Sequence, residues 1–222
     1  MKIWLTALLF ALVSVCGAAA HGVRVPKDTS GITIAPLSHG QMTVIADHRD
    51  DIHLLATWLA DRDAQVRDLL AFSRLQYAKC LWGMMPGSIN DEASPFNECS
   101  HAYLAADQAI LLRMRTLPHW PEKTGQLFDT VERSMIVSGS SLVLCAYSAT
   151  SFNTASPVDP DWHDFIIHMP SLLTALAVTA GLLLSLGLLI VLVRTEMARS
   201  RHSGGSTPPT PAGLDVSGTV AG

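Results

Sequence analysis

The chain has 222 residues, with 15 Lys plus Arg, 19 Asp plus Glu and four cysteines. A formal charge of −4 at pH 7 leaves no basic excess with which to hold nucleic acid or an anionic membrane surface. Apolar residues reach 49% because of two long runs, one near each terminus, and the stretch between them is of single-domain size.

The first run opens the chain. MKIWLTALLFALVSVCGAAAH has a charged start at Lys2, an apolar stretch from Ile3 to Val15 and small residues behind it, with Ala18 and Ala20 forming an A-x-A cleavage signal. The stretch is shorter than the roughly 20 residues that span a bilayer. Residues 1–20 are therefore expected to be a removed signal peptide, with His21 as the mature N-terminus. Cys16 admits a lipoprotein reading, but bulky Val15 stands where a lipid-acceptor cysteine follows a small residue.

Residues 21–37 read as an extended N-terminal arm. Its GVRV and GITI segments are the only places where apolar and polar residues alternate as in a strand, and they either pair or lie along the domain. Ser38 with Gln41 three residues later is a capping box that opens helix A, about 39–60. Met42, Ile45, Ile52, Leu55 and Leu59 form its stripe. His48 falls between Ile45 and Ile52 on the inward side, and an unperturbed pKa near 6.5 makes it the candidate pH-sensitive residue. His53 falls off that face.

Helix B, about 63–82, carries Val66, Leu69, Leu70, Ser73, Tyr77 and Cys80 on one stripe. Helix C opens with Ser94 as cap and Pro95 at the first helical position, and buries Phe96, Cys99, Tyr103, Ala106, Ile110 and Leu117. Helix D, about 122–150, places Leu127, Val131, Met135, Leu142, Cys145 and Ala149 on one side, with a weak point at Ser138–Ser141. The expected fold is all-α: a four-helix up-down bundle over 38–152, a juxtamembrane linker over 153–170 and one C-terminal transmembrane helix.

That last helix is the second apolar run, 171–193, which contains no charge and is long enough to cross a core of about 30 Å. Arg194, Arg199 and Arg201 follow it, while Asp159, Asp161 and Asp164 precede it. The positive-inside rule puts the C-terminus in the cytoplasm. Residues 194–222, rich in Gly, Pro, Ser and Thr, are expected to be a disordered cytoplasmic tail. The exported part, 21–170, holds 11 of the 15 basic and 17 of the 19 acidic residues, a net charge of −6. It carries no N-x-S/T sequon, which fits a bacterial periplasm.

An oxidising compartment pairs cysteines. Up-down topology brings Cys80, Cys99 and Cys145 to one pole, where Cys80 and Cys99 flank the B–C turn and are the expected disulfide, with Cys145 a buried free thiol beside them; Cys80–Cys145 and Cys99–Cys145 are the alternative pairings. The same pole suggests a soft-metal site from Met84, Met85, His101 and His39, and the His21 amine and imidazole offer a further copper ligand set.

No nucleophile elbow, P-loop, H-E-x-x-H or G-x-G-x-x-G occurs, and the acidic clusters sit in polar stretches, so no catalysis is expected. The expected function is that of a single-pass, exported helical domain at the cytoplasmic membrane, acting as a binding or accessory protein for a partner in or at the membrane. No cofactor and no small-molecule substrate are expected on that reading. Copper or another soft metal at the pole is the alternative.

Overall fold

The structure, a computed structural model, describes residue 28, residues 30–117 and residues 122–203. The expected signal peptide, the GVRV segment, His21 and residues 204–222 of the tail lie outside the described residues. Among those described, seven α-helices and one two-stranded sheet follow in chain order. They are β1 (Thr33–Ile34), α1 (His39–Asp47), α2 (Arg49–Leu59), α3 (Ala64–Lys79), α4 (Asn97–Arg115), α5 (Glu122–Val137), β2 (Phe152–Asn153), α6 (Trp162–Phe165) and α7 (Met169–Ser203). The chain divides into two compact units, one ending at Thr174 and the other starting at Ala175.

The start of α1 follows the capping box. Ser38 Oγ accepts from the Gln41 N–H at 3.3 Å, and Gln41 Oε1 accepts from the Ser38 N–H at 3.0 Å. Helix A is not continuous, however. His48 leaves helical geometry (φ −107°, ψ 6°), closing α1 and opening α2. Asp50 and Asp51 then sit in the first turn of α2, where the helix dipole favours them. Ile45 and Ile52 keep a seven-residue spacing across the break and are both fully buried, so periodicity alone does not reveal it.

Helix B ends at Lys79 rather than 82, and Cys80 caps it. Leu81, Trp82 and Gly83 then all take positive φ, which only the glycine adopts freely. Helix C starts at Asn97, not at Pro95, and the Pro95 carbonyl accepts from the Asp161 N–H at 2.9 Å. Ser94 is therefore not its cap: Phe96 takes that position without a side-chain bond, and Ser94 Oγ accepts from the Phe96 N–H at 3.4 Å in the turn before the helix. Helix D stops at Val137, and Gly139 in a left-handed conformation (φ 60°) leads into a 3-10 turn, Ser140–Leu142. Leu142, expected inward, is 84% exposed, and Cys145 lies in a loop rather than on a helix stripe.

The core centres on α4, whose Ala102, Tyr103, Leu104, Ala105 and Ala106 are all buried in succession. A helix buried on every side must be surrounded, and α1, α2, α3, α5 and β1 all pack on it. Inside this shell, fully buried Asp107 accepts from Ser73 Oγ at 2.5 Å and meets His53 Nε2 at 2.7 Å and Arg49 Nε at 3.2 Å. The Arg49 guanidinium also stacks 3.7 Å over the Tyr77 ring.

GITI pairs antiparallel with Phe152–Asn153, Ile34 opposite Phe152. The segment expected as a linker, 153–170, is fastened to the domain. Buried Gln76 donates to the Val158 carbonyl at 2.6 Å and accepts from its N–H at 3.0 Å, and Lys79 pairs with Asp159. Buried Phe96 meets Trp162 and Phe165 in T-shaped ring contacts. His168 reaches Asp91 at 3.1 Å and Ser171 at 2.7 Å, and the hydrogen bond from His168 holds the Asp91 carboxyl below its ordinary range. Within α7, Met169–Met197 is 29 residues long and apolar enough to cross a membrane.

Candidate metal centre

Three donors from three segments converge: His39 at the first turn of α1, His101 in α4, and Cys145 in the loop after α5. Their ligand atoms all lie within 4.8 Å of one another. His101 Nε2 is 3.0 Å from Cys145 Sγ, and the His39 and His101 rings stand 5.9 Å apart, tilted by 41°. Tyr147 also stands beside His101, with ring centroids 5.9 Å apart.

The local chain geometry explains the meeting. Ser38 Oγ, besides capping α1, donates to the Ser140 carbonyl at 3.0 Å, and the Gly40 N–H donates to the Val143 carbonyl at 3.1 Å. These bonds lay the loop of residues 140–145 across the start of α1. The approach requires a glycine, since a Cβ on Gly40 would lie 2.8 Å from Ser140 Cα. Ser148 Oγ then accepts from the N–H of both His39 (3.1 Å) and Cys145 (2.8 Å) and lies 3.5 Å from Cys145 Sγ. One hydroxyl therefore fixes the backbone of two donors.

The electrostatics are set by burial. His101 is fully buried, and removal from water, followed by the charge of His39, pushes its pKa down to about 3, with the Leu37 backbone opposing in part. The ring is neutral at ordinary pH, which is the form that ligates metals. His39 Nδ1 is buried without a hydrogen bond, a cost that coordination through that atom would relieve.

Among the residues singled out from sequence, His39 and His101 come together. Cys145, half-buried rather than buried, joins them and is not beside the disulfide, a correction whose second part has a simple cause. Cys99 and His101 are two residues apart on α4 and so point about 200° apart. Cys80 and Cys99 form the disulfide, Cα–Cα 5.8 Å, against buried Gln76, whose Nε2 lies 3.2 Å from Cys99 Sγ. Met84 and Met85 follow Gly83, which packs by the Tyr77 and Tyr103 rings on the Cys99 side, and Met84 is 65% exposed.

His48 is also corrected. It occupies the α1–α2 break, half-buried beside a 370 Å³ groove lined by Asp51, Leu54, Lys123 and Thr130 among others. The inward histidine is His53, on Asp107. In that cluster Ser73 Oγ and His53 Nε2 both meet Asp107 Oδ1 and stand 3.2 Å from each other, so one ring nitrogen of His53 faces both the serine and the acid, unlike the two-nitrogen relay of a Ser-His-Asp triad. A lone acid among the apolar positions of α4 was the available signal for this buried partner set. For Cys145 the signal was the weak helix at Ser138–Ser141. No family model, no curated protein and no solved structure matches this chain.

Proposed function

We propose that the protein is a membrane-tethered domain, lying outside the cytoplasm, that binds a soft transition-metal ion through His39, His101 and Cys145. The observation that carries the reading is the convergence of two imidazoles and a thiol within 4.8 Å, from segments far apart in the chain. One thiolate with two imidazoles suits copper or zinc rather than magnesium or calcium. The placement is supported by the Cys80–Cys99 disulfide, which needs an oxidising compartment, and by arginines at 194, 199 and 201 against aspartates at 159, 161 and 164. Together with the signal-like N-terminus these favour a bacterial cytoplasmic membrane, N-terminus outside. We read the outer unit as a variant of the up-down bundle in which α1 and α2 jointly fill one helix position.

A tethered metal-binding domain fits an accessory role, handing an ion to, or receiving it from, a protein in or at the membrane. The loop beside the donors supports that role, since Val137 and Leu142 are 81% and 84% exposed and residues 136–145 carry no charge. Metal analysis of the full-length protein in mild detergent, reduced, loaded and desalted, tests the reading. About one equivalent of copper or zinc is expected. Less than about a tenth of an equivalent would end it, and a protein that always elutes alone after gentle extraction would count against the accessory role.

A further inference from the structure

Resting on that reading, we infer that the ion is monovalent copper, held in three-coordinate geometry by His39, His101 and Cys145, in preference to divalent zinc. The donor count is the first reason. A structural zinc site closes with four protein ligands, and a three-ligand zinc site completes its shell with water. The cluster here contains three ligands among the described residues, with no carboxylate in it. Three donors satisfy Cu(I) without a fourth, and thiolate with imidazole is a donor set it favours.

Charge is the second reason, and it separates the two ions most sharply. The centre supplies one negative group, the Cys145 thiolate. Cu(I) with one thiolate is neutral, whereas Zn(II) with one thiolate keeps a net positive charge. His101 is fully buried and Tyr147 stands beside its ring, while His39 and Cys145 are half-buried, so the cost of charge falls on the His101 side of the centre. An uncompensated charge costs heavily in such surroundings, and a neutral complex avoids that cost.

Geometry permits the closure. Metal bonds of about 2.0 Å to nitrogen and about 2.3 Å to sulfur place donor atoms roughly 3.5–3.7 Å apart. His101 Nε2 and Cys145 Sγ now stand at 3.0 Å and no pair exceeds 4.8 Å, so side-chain rotations of about an ångström suffice. Binding is written as Cu⁺ plus the Cys145 thiol giving the copper thiolate and one proton, which leaves to buffer. No electron is transferred. Ser148 Oγ, 3.5 Å from Sγ, is placed to donate to the sulfur lone pair that copper does not use.

The test is an anaerobic titration of the full-length detergent-solubilised protein with Cu(I) against a coloured Cu(I) chelator, and in parallel with Zn(II) against a zinc indicator. X-ray absorption of the copper-loaded sample accompanies it. The expected result is one Cu(I) per chain, a shell of two nitrogens and one sulfur, and zinc binding weaker by at least about 100-fold. Cys145→Ser should lose copper while keeping its circular dichroism. Equal affinity for Zn(II), a four-ligand copper shell, or a stable Cu(II)–thiolate visible band would overturn the monovalent assignment while leaving metal binding standing. Failure of both ions to bind would overturn both.

Discussion

Acidification should reveal the cost of burying His101. The ring is fully buried and its pKa is lowered from 6.5 to about 3, mainly by loss of water and then by His39. In the unfolded chain it titrates near 6.5. Above that pH neither state binds the proton and the residue adds no pH dependence. As the pH falls through 6.5 only the unfolded chain takes the proton, so stability drops, and it goes on dropping until the folded pKa is reached. Between about pH 7.5 and about pH 5 the loss is about 2 kcal/mol. Urea unfolding of the metal-free, full-length protein in detergent, followed by tryptophan fluorescence, measures it. His101→Gln, which cannot titrate, should lose about 2 kcal/mol less than the wild type over the same interval. Asp63 and Asp91, whose carboxyls are held low by Arg113 and His168 respectively, stay ionised there and do not contribute. Equal losses in the two proteins would refute the argument that burial keeps His101 neutral.

Cys80→Ser should destabilise by roughly 2–5 kcal/mol, and mapping of non-reduced peptides should join Cys80 to Cys99 while Cys145 stays alkylatable. Asp107→Ala strands the Arg49 guanidinium, whose side chain is 13% exposed, and should cost about 3–5 kcal/mol by denaturant unfolding. A change below about 1 kcal/mol would mean that the buried cluster is dispensable. Gly40→Ala places a methyl 2.8 Å from Ser140 Cα, so the loop must shift. It should weaken metal binding about tenfold or more, read by chelator competition, with the helix content unchanged.

Some of this architecture could be read from the sequence because its causes are local. Ser38 and Gln41 open α1 through bonds between neighbours, and a charge-free apolar run is a membrane-length helix by composition. Cys80 and Cys99 flank one turn, so their approach follows from short chain closure. The rest depends on contacts between distant segments. The seven-residue spacing from Ile45 to Ile52 survives the break at His48, so the pattern continues while the axis does not, and His53 rather than His48 turns inward. Gln76 holds Val158, 82 residues on, through its side-chain amide, and nothing in either stretch announces the pairing. Leu142, Cys145 and Ala149 keep a helical period, so the sequence alone puts Cys145 on a helix stripe. The glycine at 139 ends that helix, and the loop carries the thiol to the far side of α4.

The central claim concerns one ion on three side chains, and native mass spectrometry of the loaded full-length protein addresses it most directly. The account predicts one metal ion per chain, Cys145 protected from alkylation while the ion is bound, and loss of the ion in Cys145→Ser and in His101→Gln. An ion retained by Cys145→Ser, or a wild-type chain that stays metal-free with Cys145 fully alkylated, would contradict it.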